Sequence, residues 1–345
     1  MPTVAPKRLK EVVVEVLQGV GAGAEEAPIV AESLVRAEMR GTDTHGLPYL
    51  KLLVERVEAK MVALPTRVTT LKDEGATALL DGGNGIGQFS GWKAMEMSVQ
   101  KAREFGIGLT LVRHTNNLGF LAFYSLNAAA QGYVGVTMGN ANAAISPWGG
   151  AEAFFGTNPI SIAVPGRPEP VALDMSSSLV ARGKIRRAQR LGEKIPLGWA
   201  LDESGLPTDD PGAALRGTLV PIGGPKGYGL ALMVDVLAGM LSGAAFGQAI
   251  KSFHQLTGPT EVGALTLAIN VERFMPVEQF RELMNGYTES IRGSRKAKGT
   301  TRIYLPGEIE AEKERTSAEK GIELRPASSE LVNQLLEKVK SPMRL

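Results

Sequence analysis

Cysteine is absent from the 345-residue chain. Its absence excludes disulfide bonds, thiolate metal ligands and a cysteine nucleophile, and it is consistent with a reducing compartment. A run of about 18 apolar residues is also absent, so we predict no membrane-spanning helix. The N-terminal stretch "MPTVAPKRLKEVVVEVLQ" interleaves charges with Val and Leu and has no long apolar signal segment. We therefore expect a cytoplasmic protein.

The chain also lacks a marked excess of charge of either sign. Lysine and arginine number 38, aspartate and glutamate 36, and the formal net charge is +2. A balance this close gives no indication of a nucleic acid or a membrane surface as partner. A hydrophobic fraction of 43% is ample for a sizeable core. The composition is that of an ordinary globular, enzyme-sized protein.

Several signatures of enzyme classes are missing. Neither a G-x-S-x-G elbow nor a Walker A sequence occurs. The three histidines, His45, His114 and His254, form no pair at ligand spacing, so we expect no metal site. The stretch "GNGIGQFSG" (83–91) has Ser90 where a dinucleotide fingerprint needs its third glycine. The acidic residue about 20 positions on is not evident, because Arg103 and Glu104 lie there in a predicted helix end. We interpret the stretch as a glycine-rich turn from a strand to a helix.

Hydrophobic spacing divides the chain into two parts. Helical patterns over 7–18, 24–39 and 50–61 predict an N-terminal helical module over 1–74, joined by C-terminal helices within 307–345. Strands and helices alternate over 75–306, which predicts a mixed α/β body. We predict strands over 76–81, 107–113, 133–140, 159–165, 171–175 and 262–271. We predict helices over 91–106, 121–132, 227–243 and 277–292, the third of them buried because it is apolar nearly all round.

Four stretches are richer in glycine and polar residues than a core requires. They are "DTHG" (43–46), the Asn-, Gly- and Pro-rich segment 117–165, "LDMSSSLVARGKI" (173–185) and "PIGGPKGYG" (221–229). Ser176–Ser178 stand where the free N–H groups of a helix start could bind phosphate, although one serine could simply cap that helix. Lys226 could supply a cation to a phosphate, although the surrounding glycines also suit a tight turn.

Together with "PWGG" (147–150), "GTNPI" (156–160) and "LPGE" (305–308), these stretches resemble the type-2 malate/L-lactate dehydrogenase family. That family comprises NAD(P)-dependent oxidoreductases, including ureidoglycolate and sulfolactate dehydrogenases, diketogulonate reductase and piperideine-carboxylate reductase. The resemblance implies an α/β, non-Rossmann NAD(P)-binding fold with a mixed, largely antiparallel sheet and a helical module from both chain ends. It also implies a homodimer with its site near the interface.

The resemblance further implies which residues hold NAD or NADP. They are Ala172, Leu173, Asp174, Met175, Ser176, Ser177, Ser178, Pro225, Lys226, Gly307, Glu308 and Ile309. Arg186, Arg187 and Arg190 follow the serines and could recognise the 2′-phosphate of NADP. They are equally suited to the solvated face of a helix, so the choice between NAD and NADP stays open.

His45 matches the acid/base histidine of the family, and Thr44 keeps a hydroxyl where the family has serine. Reduction of a ketone by hydride requires a proton for the nascent alkoxide, and imidazole titrates near neutral pH. A constrained turn between helices can hold the ring at the distance that proton transfer needs. We therefore expect His45 to donate the proton and Thr44 to orient it, the alternative being a lone structural histidine.

The chain departs from the family pattern at two positions. Tyr49 stands where the family has an arginine that pairs with a substrate carboxylate, and a phenol cannot supply that charge. Asn117 stands where the family commonly has a second histidine, and we expect it to hydrogen-bond the substrate oxygen. Tyr49, His114 and Asn140 are the expected substrate-binding residues. The substrate's anionic group could be met by Arg113 or Arg40, or be missing.

Three functions follow from these observations. The first is hydride transfer between NAD(P) and a small 2-oxo or 2-hydroxy acid or a related carbonyl compound. The second is reduction of a cyclic imine such as a piperideine or pyrroline carboxylate. The third is a dinucleotide-binding dimer without turnover. A substrate panel with cofactor titration separates them.

Overall fold

The computed structural model describes residues 3–345, without the side chain of Asp43. Eleven α-helices lie in this range: α1 (Pro6–Gly19), α2 (Glu26–Met39), α3 (Leu47–Glu58), α4 (Gly87–Phe105), α5 (Ala122–Ala130), α6 (Arg182–Leu191), α7 (Pro211–Arg216), α8 (Pro225–Val234), α9 (Val277–Gly293), α10 (Glu308–Lys320) and α11 (Pro326–Lys338). Its strands are β1 (Thr3–Val4), β2 (Thr69–Glu74), β3 (Thr77–Asp81), β4 (Ile107–Thr115), β5 (Tyr133–Gly139), β6 (Ile160–Val164), β7 (Val171–Met175), β8 (Ala200–Leu201), β9 (Thr218–Leu219), β10 (Val262–Asn270) and β11 (Ile322–Glu323).

A seven-stranded sheet forms the centre of the described chain, in the order β2-β3-β4-β10-β5-β6-β7. Strands β3 and β4 run parallel, with Leu80 opposite Val112, because α4 carries the chain back across the sheet between them. All the other neighbouring pairs in this sheet are antiparallel. The predicted mixed, largely antiparallel sheet is confirmed.

Glycines shape the junctions between α4 and its neighbouring strands. Gly106, at φ +85°, ends α4 in the left-handed conformation, as its place in the sequence predicts. A Cβ on Gly87 would lie 2.2 Å from the carbonyl oxygen of Asn117, and one on Gly85 would lie 2.3 Å from Cγ2 of Thr66. Close packing against protein atoms therefore explains the glycines of "GNGIGQFSG" without a phosphate ligand.

The segment predicted as a buried helix over 227–243 differs from the expectation. Helix α8 ends at Val234, and Asp235–Met240 continues as a wider π-helical turn. Met233, Met240 and Leu241 are 53%, 47% and 59% exposed. The expectation of burial on all sides is wrong for this face, because apolar composition alone does not say which surfaces the rest of the chain covers.

The helices from the two chain ends share one hydrophobic core. Leu9 of α1, Leu34 of α2, Leu53 of α3 and Leu336 of α11 are all fully buried within it. Strand β1 pairs with β11, which joins the N-terminal part of the described chain to the segment before α11. Strand β2, although it precedes residue 75, belongs to the central sheet, and the boundary at 74 stays a prediction.

A smaller core lies in the lobe formed by α6, α7, β8 and β9. Ile185 and Leu219 are among its buried residues. This lobe carries α6 to the edge of the helical module. None of the described helices has both the length and the apolarity required to cross a bilayer.

Candidate active site

The His45 turn lies between α2 and α3. Residues Asp43–His45 form one 3-10 turn, and the Oγ1 of Thr44 lies 3.2 Å from Nδ1 of His45. The imidazole is half-buried, and the Thr44 side chain is exposed. The turn therefore holds the ring at the protein surface with a hydroxyl beside one of its nitrogens.

Gly46 is required where this turn enters α3. A Cβ there would lie 2.2 Å from Oε1 of Glu38. The same Oε1 accepts a hydrogen bond from the N–H of Leu47 at 2.7 Å, at the start of α3. Because a carboxylate is favourable at a helix N-terminus, Glu38 fixes the direction in which α3 leaves the turn. The "HG" pair is thus a structural junction as well as a candidate catalytic one.

Tyr49 lies inside the protein, directly below the turn. It is 4% exposed, and its ring stacks on Phe253 with centroids 4.7 Å apart and an angle of 7° between the planes. Its hydroxyl donates to the carbonyl oxygen of Asn117 at 2.8 Å. Burial raises the pKa of this hydroxyl, so it carries no charge near neutral pH. Tyr49 therefore connects the turn to Asn117 and Phe253 but offers no charge to a substrate.

Asn117 lies at the other end of that hydrogen bond. Its Oδ1 accepts from the N–H of Gly119 at 2.9 Å, and the residue is half-buried. Within the described chain, no acceptor lies at hydrogen-bond distance from its Nδ2. The side-chain amide thus keeps a donor available beside the Tyr49 hydroxyl.

The other two residues expected to bind substrate are held by protein partners. Nδ1 of His114 lies 2.9 Å from Oδ2 of Asp81. Nδ2 of Asn140 donates to Asp235 at 2.9 Å and to the carbonyl of Ala245 at 2.8 Å. The described contacts of both side chains are therefore with other parts of the body, not with the His45 turn, and their substrate role stays a prediction.

The residues expected to hold the dinucleotide converge from three parts of the chain. Gly307, at φ +76°, lies against β7, since a Cβ on it would be 2.5 Å from the carbonyl oxygen of Ala172. On the other side, Ser177 accepts a backbone hydrogen bond from Ile222 at 2.9 Å, just before the glycines of 221–229. The structure thus places 172–178 between the start of α10 and the start of α8.

The three serines do not begin a helix, because α6 starts only at Arg182. The hydroxyl of Ser177 donates to the Thr157 carbonyl at 2.8 Å, and that of Ser178 to the Val180 carbonyl at 2.9 Å. The hydroxyl oxygens of Ser176 and Ser178 lie 3.0 Å apart. The expectation of a helix start at these serines is wrong. Their hydroxyls and the N–H of Ser177 form hydrogen bonds within a loop instead.

The start of α8 fits a phosphate. Gly223 and Gly224 have φ of +60° and +63°, and a Cβ on Gly223 would meet nothing nearer than 3.9 Å. No side chain caps the first N–H groups of α8, Pro225 is its first residue, and Lys226 is exposed. Bare backbone, a helix N-terminus and a lysine suit the pyrophosphate of a dinucleotide.

The start of α10 is fixed by charge. Oε1 of Glu308 is paired with Arg292 at 2.9 Å and Arg302 at 2.7 Å, and its Oε2 accepts from the N–H of Leu305 at 2.7 Å. Ile309, next to it, is 44% exposed. Glu308 therefore holds the Gly307 turn in place, while Ile309 presents an apolar surface beside β7.

Asp174 lies on β7. Of its two neighbours on that strand, Leu173 is exposed and Met175 is half-buried. Oδ2 of Asp174 accepts from the N–H of Ala122, the first residue of α5, at 2.8 Å. Crowding of the carboxyl group by protein raises its pKa to about 6, against the opposing effects of the Ala122 N–H and the charge of Arg40. The Asp174 carboxyl is therefore partly protonated in mildly acidic solution.

This shift predicts a dependence of stability on pH. Because the folded pKa of about 6 exceeds the ordinary 3.8, the unfolded chain loses the proton first, and the free energy of unfolding falls as pH rises across this interval. Asp174→Asn removes the ionisation and keeps an acceptor for Ala122. In urea unfolding at several pH values, the free energy of unfolding of the variant should rise relative to that of the wild type as the pH increases from 4 to 6. A difference that stays constant with pH would contradict the assignment.

Two arginines and one histidine that the sequence does not assign to substrate lie near the His45 turn. A Cβ on Gly183, in the first turn of α6, would lie 3.1 Å from Cγ2 of Thr44. The helix therefore brings Arg182 and Arg186 to the turn. His254 lies on a Gly- and Pro-containing loop, where no motif marks it.

A family model described as malate/L-lactate dehydrogenase matches residues 4–333. The chain belongs to the malate/L-lactate dehydrogenase family. Its members are NAD- or NADP-dependent dehydrogenases acting on CH–OH groups, and this chain is an enzyme of that class. The membership accounts for a dinucleotide site without a Rossmann fingerprint.

Curated relatives of this malate/L-lactate dehydrogenase family member include malate dehydrogenase of Pyrococcus abyssi, 39% identical over 86% of this chain and 83% of that protein. Ureidoglycolate dehydrogenase (NAD(+)) of Escherichia coli is 32% identical over 87% and 86%. The solved sulfolactate dehydrogenase from Methanocaldococcus jannaschii is 34% identical, with a TM-score of 0.92 over 99% of this chain and 98% of that one. A solved Δ1-piperideine-2-carboxylate reductase from Pseudomonas syringae is 26% identical, with a TM-score of 0.87 over 97% and 100%.

Proposed function

We propose that this chain transfers hydride between a nicotinamide dinucleotide and the C2 carbon of a small 2-oxo or 2-hydroxy acid, with His45 as the proton donor and acceptor. The observation that carries the assignment of His45 is the contact between Thr44 and Gly183. It places the imidazole beside the segment that leads from β7 into α6. That segment also contains the residues expected to hold the dinucleotide.

A bound dinucleotide, NAD or NADP, supplies or accepts the hydride. Lys226 and the Gly223–Gly224 turn would hold its phosphates, and Gly307 would close on the strand that carries Ala172. The bare backbone at Gly223 supports this assignment, because a side chain there would project into the space that a phosphate needs.

His45 and Thr44 handle the proton. When the Thr44 hydroxyl donates to Nδ1, the neutral ring carries its proton on Nε2. A proton on Nε2 can be given to an alkoxide as the carbonyl is reduced and taken back in the reverse direction. Asn117 donates a hydrogen bond from Nδ2 to the same substrate oxygen and so stabilises the charge that develops there.

A cyclic imine is the second candidate substrate. The likeness to a piperideine-carboxylate reductase structure supports this alternative. In that case His45 would protonate nitrogen instead of oxygen.

One experiment separates these functions from a dinucleotide-binding protein without turnover. NADH and NADPH fluorescence titrations measure binding, and a panel of 2-oxo acids and cyclic imino acids measures oxidation of the bound dinucleotide. We expect micromolar binding of at least one cofactor and turnover of a 2-oxo acid. Turnover of imino acids alone would favour the second function, and binding without any turnover the third.

We also propose a homodimer, acting in the cytoplasm. The apolar residues Met233, Met240, Leu241 and Phe246 are 53%, 47%, 59% and 46% exposed on one continuous segment, which supports a protein surface as their partner. Phe154, 42% exposed, lies against Gly247 at the end of that segment.

Leu241→Glu tests this interface. We expect the substitution to shift the chain from dimer to monomer in sedimentation equilibrium, because a buried unpaired carboxylate is costly. Leu197→Glu makes the same change at a residue that is 70% exposed in another loop, and it should leave the dimer intact. A monomeric wild type, or equal behaviour of the two variants, would contradict the proposal.

A further inference from the structure

We propose that Arg182, Arg186 and His254 bind the carboxylate of the substrate beside His45. This inference rests on the proposed oxidoreductase function and names the group by which the chain recognises its substrate. It differs from the expectation that Arg113 or Arg40 meets that group. Arg113 lies 3.3 Å from Asp81, and Arg40 lies 2.5 Å from Glu314, so both already have a carboxylate partner.

The first argument is position. Helix α6 begins at Arg182, and its first turn packs on the Thr44 side chain at Gly183. Arg182 and Arg186 are four residues apart, so they lie on the same face of the helix. Both residues therefore lie in the first turns of α6, the end of the helix that packs on the His45 turn.

The second argument is uncompensated charge. Arg182 donates to the carbonyl of Leu215 at 2.6 Å, and within the described chain neither Arg182 nor Arg186 forms an ion pair. Partial burial and the charge of Arg186 both lower the pKa of Arg182. Two like charges with no described acidic partner attract an anion, and arginine pairs with a carboxylate through two parallel hydrogen bonds.

The third argument is the position of His254. Its pKa is lowered to about 4, first by partial burial and then by positive charge. The residues that supply this charge are Arg186, His45, Arg182 and Arg56. The two arginines of α6 and His45 therefore lie within electrostatic range of the exposed His254 ring. The ring also contacts Phe253 edge-on, and Phe253 stacks on Tyr49 below the turn. His254 is neutral near pH 7 and can donate one hydrogen bond to a carboxylate.

Tyr49 and Arg56 hold the loop that carries His254. The guanidinium of Arg56 lies 5.0 Å from the ring centroid of Phe253, whose other face stacks on Tyr49. Arg56 also donates to the carbonyls of Ser252, Phe253, Gln255 and Gly258. Tyr49 is therefore a positioning residue that acts through Phe253, and the anion is bound by the loop and α6 instead of by residue 49.

The first test compares a 2-oxo acid with its uncharged primary amide as substrates of Arg186→Gln. We expect kcat/KM for the acid to fall about 10–100-fold through a higher KM, with little change for the amide. Arg295→Gln removes the same charge from an exposed residue far along the chain and should match the wild type. Equal losses for acid and amide would overturn the proposal.

The same variant distinguishes the substrate from the other possible anion, the 2′-phosphate of NADP. Fluorescence titration should give Kd values for NADH and NADPH that match those of the wild type. A selective loss of NADPH affinity, with the acid-to-amide ratio unchanged, would assign Arg186 to the cofactor and overturn the proposal.

The second test does not depend on turnover. The chain has three histidines, so their ring signals can be assigned in an NMR titration with single histidine variants. Oxamate, an unreactive analogue of a 2-oxo acid, added with NADH should raise the pKa of His254 by about one unit or more, because it offsets the positive charge of Arg182, Arg186, His45 and Arg56.

This titration distinguishes failure of the proposed function from failure of the proposed anion site. A shift of His254 in a protein that reduces no 2-oxo acid would support the anion site while contradicting the proposed function. An unchanged His254 pKa at saturating oxamate, in a protein that turns over the acid, would contradict the anion site alone. Loss of the shift in Arg186→Gln but not in Arg295→Gln would confirm that Arg186 contributes to it.

Discussion

Replacing His45 with alanine is expected to lower kcat for reduction of the preferred substrate by about 10²–10⁴-fold. The imidazole is half-buried in the turn that packs against α6, and Oγ1 of Thr44 lies 3.2 Å from its Nδ1. Without it, the proton for the alkoxide must come from water, which is neither positioned nor matched in pKa. The measurement is steady-state kinetics with the substrate that the panel identifies.

Two controls separate a catalytic loss from a structural one. The Kd for NADH should stay within a few-fold of the wild type in His45→Ala, since this side chain lies outside the expected phosphate-binding residues. Thr44→Val keeps the shape of the side chain and removes the hydroxyl, so its loss in kcat should be smaller, about tenfold. A kcat for His45→Ala within a few-fold of the wild type would show that another group handles the proton.

Replacing Arg56 with methionine is expected to lower the free energy of unfolding by about 3–5 kcal/mol. Arg56 is fully buried, and its guanidinium donates to four carbonyl oxygens of the loop 252–258. Methionine fills much of the volume but removes the Arg56 donor from the carbonyls of Phe253, Gln255 and Gly258, while the Ser252 carbonyl keeps the N–H of Gln255. Buried carbonyls that lose their partners carry the desolvation penalty in full.

Urea unfolding of Arg56→Met and of Arg295→Met measures the effect. Arg295 is exposed, so its variant should stay within about 0.5 kcal/mol of the wild type. If Arg56→Met does not fold, Arg56→Lys keeps the charge and loses part of the hydrogen bonding, and it should show an intermediate loss. A destabilisation below about 1 kcal/mol for Arg56→Met would mean that the loop is held by other contacts.

The two predictions concern one region of the protein, in which several side chains are linked by contacts. Arg56 fixes the loop with Phe253 and His254, Phe253 stacks on Tyr49, and the Tyr49 hydroxyl is bonded to Asn117. The position at which the family pattern calls for a charged residue thus carries an uncharged one with a packing role. Arg182, in the turn of α6 that packs on Thr44, brings a positive charge to this region instead.

Local pattern was enough to predict most of the elements. Apolar residues at helical spacing mark α1, α2 and α3, and Gly106 marks the end of α4, because each of these signals is contained in a few neighbouring residues. Strand β2 was missed, since all six of its residues are exposed and it shows no apolar alternation. The exposed face of α8 was also missed. The segment is apolar nearly all round, and apolar composition does not reveal which side the rest of the protein covers.

The candidate site divides in the same way. The ordered motifs of the sequence identified the family, the His45–Gly46 pair and the expected dinucleotide residues, since these signals lie in short contiguous stretches. His254 could not be found from sequence, because nothing in "KSFHQLTGPT" distinguishes a site histidine from one in an ordinary polar loop.

By itself, the sequence determined the enzyme family, the non-Rossmann fold class and the histidine at which to look for proton transfer. Only the tertiary structure decided that Tyr49 is buried against Phe253 and that α6 packs on Thr44 next to His45. The physical reason is sequence separation. Residues about 50 to 200 positions apart become neighbours only when α6 packs on Thr44 and Arg56 binds the loop 252–258.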